Sequence, residues 1–121
     1  MPQEDLTSNR PKNYSIWHRQ LPFWCYQTDG DFFEQRKDKE GHLKAVAYIE
    51  TIQIPEHSNP LDYPVWRSKK ALAEQISGSM GISGYYVWHY PNCNIFFVQN
   101  VEKNNTIKMY ENDYIEFIKR M

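Results

Sequence analysis

The sequence predicts an α+β domain in which helices flank a central mixed sheet with an antiparallel hairpin. Three observations predict it. Strand-like segments, rich in β-branched and aromatic residues, fall in two groups over residues 23–54 and 84–101. Helical patterns precede, separate and follow these groups, giving the order α-β-β-α-β-β-α. The chain has 121 residues, 40% hydrophobic and 16% aromatic, enough for one domain with its own core.

Residues 1–12 are polar and proline-containing and read as a flexible N-terminal tail, which leaves 13–121 as a single domain. NYSIWHRQL, from Asn13, reads as a short helix closed by Pro22. FWCYQTDGDFFEQR is aromatic and extended, and it pairs with AVAYIETIQI through a turn at Glu40-Gly41. EHSNPLDYP, with its Asn-Pro step, is a loop. A helix is expected over Tyr63 to Ser77, with Asp62 as cap and Pro64 in its first turn. GYYVWHY and NIFFVQNV are strands joined by the turn PNCN, and 102–109 holds a polar turn and a short strand. NDYIEFIKRM closes the chain as a helix capped by Asn112, with Tyr114, Ile115, Ile118 and Met121 on one face.

Several function classes find no support. A formal net charge of -1 gives no global attraction to nucleic acid or anionic membrane. No apolar run approaches transmembrane length, so a soluble cytoplasmic chain is expected. Cys25 and Cys93 form no CxxC pair and read as reduced thiols without a partner histidine. There is no GxSxG and no glycine-rich phosphate loop. His42, by the hairpin turn, and His57, in a loop, have no metal-ligand spacing between them, and His89 alternates with Val87 and Tyr85 as a packing residue.

Glu50 is the anomaly. It sits mid-strand in AVAYIETIQI, where a charge costs several kcal/mol unless something compensates it. A turn centred between Glu40 and Gly41 makes paired indices sum to 81, which sets Phe33 opposite Tyr48 and Asp31 opposite Glu50. Two facing carboxylates repel, and a shared divalent cation with oxygen ligands, Mg²⁺ above all, would remove the repulsion. Asp29, two residues earlier, points to the same face as a third ligand.

The next helix supplies a cation. At about 100° per residue, Val65, Leu72, Ala73 and Ile76 form its apolar stripe, and Lys69 falls inside it. Lys70 lies at the flank, and Arg67 and Glu74 on the solvated side. Lys69 either snorkels to the edge or reaches the Asp31/Glu50 cluster.

These segments (WHR, WCYQTDGDFFE, AVAYIET, WRSKKALAEQ and GYYVWHY, within residues 13–101) resemble the PD-(D/E)XK nuclease superfamily. The resemblance implies a restriction-endonuclease-like core and Mg²⁺- or Mn²⁺-dependent hydrolysis of nucleic-acid phosphodiester bonds. Asp31 matches the first acid, with Asp29 as rival, and Glu50 the second; the Thr51 carbonyl assists. The lysine position of Glu-x-Lys is Ile52, a departure. Either Lys69 replaces that lysine from the helix or the chain is a catalytically inactive module that binds nucleic acid or a protein partner. The resemblance further implies His18 in a supporting role. Its partner would be nucleic acid, DNA ahead of RNA, met by Lys44, Arg67 and Lys70, and a homodimer is compatible with it.

Overall fold

The computed structural model describes residues 12–22, 24–27 and 33–121. Helix α1 (Lys12–His18) leads into strands β1 (Tyr26–Gln27), β2 (Phe33–Lys37) and β3 (Leu43–Gln53). A 3₁₀ turn (Pro60–Asp62) and helix α2 (Arg67–Met80) follow. Strands β4 (Ser83–His89), β5 (Ile95–Asn100) and β6 (Ile107–Tyr110) and helix α3 (Glu111–Lys119) complete the order. The fold is the mixed α+β arrangement expected. One six-stranded sheet has the order β1-β2-β3-β4-β5-β6.

Every pairing in the sheet is antiparallel except β3 with β4. A parallel pair needs a long crossover, and α2 provides it. Strand alternation then splits the core in two. Ile49, Val87, Phe96 and Val98 face α1 and α3, packing on Tyr14, Trp17, Tyr114 and Ile118. Tyr48, Ile54, Tyr86 and Trp88 face α2 and pack on Ala73. The predicted face of the last helix is largely this: Tyr114 and Ile118 are fully buried, with Ile115 and Met121 packed beside them.

The hairpin reaches the predicted register by two offsets that cancel. Near its tip Lys37 pairs with Leu43 and Arg36 with Lys44, so indices sum to 80. A bulge between Glu34 and Gln35 then restores Phe33 opposite Tyr48, with the two rings 5.4 Å apart. Gly41, at a φ of 85°, makes the turn.

Helix α2 starts four residues later than expected. Pro64 disfavours helical backbone at Tyr63, and the Tyr63 carbonyl accepts a hydrogen bond from Trp88 Nε1 at 2.8 Å. Asp62, expected as the helix cap, lies instead in the 3₁₀ turn, which Asn59 caps by accepting from the Leu61 amide, and the residue before α2 is Trp66, with no side-chain cap bond. The helix also runs past Ser77 to Met80, ending at left-handed Gly81. The last helix likewise starts one residue before the expected Asn112 cap, with Tyr110 as the residue preceding it. Leu72, expected in the apolar stripe of α2, is 50% exposed. The rest of the expected stripe does meet the sheet: Ala73 is buried, Val65 and Ile76 pack beside it partly buried, and Ser77, one turn after Ala73, is buried as well. Gly84 permits this closeness: a Cβ there would lie 3.2 Å from Ser77 Cβ and from both Val101 methyls.

Candidate functional site

Lys69 lies one turn before Ala73, so the row that packs α2 on the sheet continues to it. Its Nζ stands 3.3 Å from Glu50 Oε2. Tyr48, two residues before Glu50 on the same strand face, donates its hydroxyl to Oε1 at 2.9 Å. Both Glu50 oxygens are therefore partnered. The carboxylate is 14% exposed and the lysine 51%, so the pair sits where the buried α2 face of the sheet opens to solvent. This accounts for a charge within an apolar strand. Ile52, the next residue on that face, packs into the α2-side core. Thr51 points to the opposite face, its hydroxyl buried without a hydrogen-bond partner among the described residues.

Asp29 and Asp31 lie outside the described residues, as does the expected tail up to residue 11. The other predicted residues scatter. Arg67 and Lys70 are exposed in the first turn of α2. Lys44 lies near the hairpin tip, 3.7 Å from Asp38 Oδ2. His18 is not brought to Glu50. It lies across the sheet, where its Nε2 meets Glu34 Oε1 at 2.5 Å.

Sequence reasoning missed the partners of His18. Glu34 is 1% exposed, and its other oxygen accepts from Arg36 Nη1 at 3.0 Å. Arg36 Nη2 donates to the Ile118 carbonyl at 2.7 Å, and its guanidinium lies over the Trp24 ring. This chain of charges joins α1, β2 and α3. A strand position facing a core made by helices distant in sequence carries no local signal for it beyond the alternation of Glu34 and Arg36 with Phe33 and Gln35.

Cys93 does have a histidine neighbour, contrary to expectation, with its Sγ 3.6 Å from His89 Nδ1. The pair is not a nucleophile and base. Nδ1 also lies 2.9 Å from the Tyr90 carbonyl, which assigns the ring proton to it and leaves the buried Nε2 without a partner among the described residues. Burial lowers the His89 pKa to about 4 and raises that of Cys93 to about 12. Both groups are neutral at pH 7.

A second group of potential ligands occupies the β2–β3 turn. Asp38, Glu40 and His42 each bring a ligand atom within 4.8 Å of the others, a group that could hold a metal ion. Asp38 already accepts from the backbone amides of His42 and Glu40, each at 2.9 Å, and these bonds hold its carboxyl below the usual range. Among the described residues no helix is long and apolar enough to cross a membrane. Comparisons with protein-family models, curated proteins and solved structures give no match.

Proposed function

We propose that the chain is a metal-dependent hydrolase of nucleic-acid phosphodiester bonds, centred on Glu50 and Lys69. The observation that supports it most is the 3.3 Å approach of the Lys69 ammonium to Glu50 from the crossover helix. It is the geometry required if a helix lysine substitutes for the missing one at Ile52. Glu50 offers the hard oxygen donor that Mg²⁺ or Mn²⁺ takes. Asp31 is the second donor the reading requires. When bound, such an ion lowers the pKa of a coordinated water and offsets phosphate charge.

The chain's own residues have separable roles in this reading. Tyr48 fixes the orientation of the Glu50 carboxylate through Oε1. Lys69 leaves Glu50 to position the attacking water and stabilise the charge that grows on the phosphoryl oxygens. Its exposure gives it the freedom to do so.

One observation favours a second reading. Glu50 has a hydrogen-bond donor on each oxygen without any metal, which is what a silent nuclease-fold module would keep to tie α2 to β3. Incubating supercoiled plasmid and single-stranded RNA with the protein in Mn²⁺ separates the two. Cleavage that is abolished by EDTA and by Glu50→Gln supports the hydrolase; intact substrates under all conditions support the silent module.

A further inference from the structure

A cavity of about 710 Å³ opens on the α2 side of the sheet, next to the ion pair: neither Glu50 nor Lys69 lines it, but Tyr86, which does, pairs with Glu50 across β3 and β4. Its volume is within the range of small-ligand sites. Phe97 on β5, partly buried, supplies an aromatic wall, with the almost fully buried Tyr86 and Trp88 of the adjacent strand β4 beside it. The 54–66 loop forms another side and is pinned in place. The Trp88 indole donates to Tyr63 O at 2.8 Å, and the Tyr90 hydroxyl to Ser58 O at 3.0 Å.

The polar lining is one-sided in charge. Lys70 enters from α2 and Lys108 from β6, and among the described residues no aspartate or glutamate lines the cavity. Neither lysine is ion-paired among the described residues; Lys108 Nζ lies 5.3 Å from the centre of the Tyr110 ring. Asn104 presents a carboxamide that makes no hydrogen bond among the described residues. The Tyr86 hydroxyl is likewise buried without a partner.

We infer that this cavity binds a nucleoside monophosphate. The aromatic wall suits a flat base, since stacking on a ring face is available to every base. Two unpaired ammonium groups suit a phosphate, and the free carboxamide suits the hydrogen-bonding edge of a base. An aromatic carboxylate shares the ring and the negative charge but leaves Asn104 idle and needs only one cation. The inference does not rest on hydrolysis at Glu50, and binding is read without any cleavage.

The test is isothermal titration of the full chain with the ribo- and deoxyribonucleoside monophosphates at low salt. The parallel titrants are the matching nucleosides, inorganic phosphate and 4-hydroxybenzoate. At least one monophosphate should bind with a Kd below about 1 mM, and its nucleoside and phosphate alone at least about tenfold more weakly. Lys70→Gln and Lys108→Gln are exposed changes that should each weaken binding about tenfold. Phe97→Leu, which keeps apolar bulk and loses the ring face, should weaken it about fivefold. Three results would overturn the inference: no monophosphate binding at about 10 mM, 4-hydroxybenzoate binding as tightly as the best monophosphate, or unchanged affinity in both lysine variants.

Discussion

Lys69 and Glu50 meet at 3.3 Å although 19 positions separate them, because one row of α2 residues, Lys69, Ala73 and Ser77, lies along the sheet. The pair is half open to water, so its contribution to stability is small, below about 1 kcal/mol. Lys69→Ala should therefore shift the midpoint of thermal unfolding by only a few degrees. A collapse of the fold in that variant would mean that the lysine is a structural clamp.

Two glycines should respond to alanine with opposite signs. Gly84→Ala drives a methyl into Ser77 and Val101 beneath α2 and should destabilise by about 1–3 kcal/mol. Gly78 is exposed in α2, and a Cβ added there would meet nothing within 4 Å. Gly78→Ala should stabilise by about 1 kcal/mol through helix propensity. Urea denaturation of both variants checks the contrast.

Stability should fall in mild acid because of His89. Its folded pKa is depressed to about 4 from 6.5, so as pH falls the unfolded chain takes up the proton first. The stabilising effect of the neutral ring is complete above about pH 6.5 and is lost towards pH 4, about 3 kcal/mol in all. Denaturant titrations across that range should show the loss in the wild type. In His89→Gln this component should be absent.

Both cysteines should be inert in the folded protein. Cys25 and Cys93 are buried and unpaired, and burial raises both thiols. Ellman's reagent should label neither under native conditions and both in guanidinium. Fast labelling of Cys93 would contradict its neutral, enclosed setting.

The parts of the fold legible in the sequence are those governed by local pattern. Alternation places β3, β4 and β5, and helical periodicity places Lys69 in the row facing the sheet. The Phe33–Tyr48 pairing is legible too, although a bulge without a sequence signal is needed to offset the shorter register at the tip. What the sequence conceals depends on contacts between distant segments. The Trp88 indole holds the Tyr63 carbonyl ahead of α2, and Gly84 lets Ser77 of the helix and Val101 come close to the sheet. The pairing of His18 with Glu34 and Arg36, and the cavity between α2, β4, β5 and β6, exist only once the sheet is assembled.

A divalent ion at Glu50 should stabilise the folded protein by mass action, since the unfolded chain has no such site. Thermal unfolding in millimolar Mn²⁺ should rise for the wild type and stay unchanged for Glu50→Gln. A rise that persists in Glu50→Gln but vanishes in Asp38→Asn would place the ion at the hairpin turn instead.

The central claim is that Lys69 takes the part of the absent strand lysine. The measurement is the rate of Mn²⁺-dependent plasmid nicking in Lys69→Ala, set beside Lys119→Ala on the opposite side of the sheet. Removing a cation positioned at developing charge should cost about 3 kcal/mol, or roughly a hundredfold in rate, while Lys119→Ala cuts at nearly the wild-type rate. Equal, small effects of the two substitutions would contradict the claim, as would a wild type that cuts nothing until Ile52→Lys is introduced.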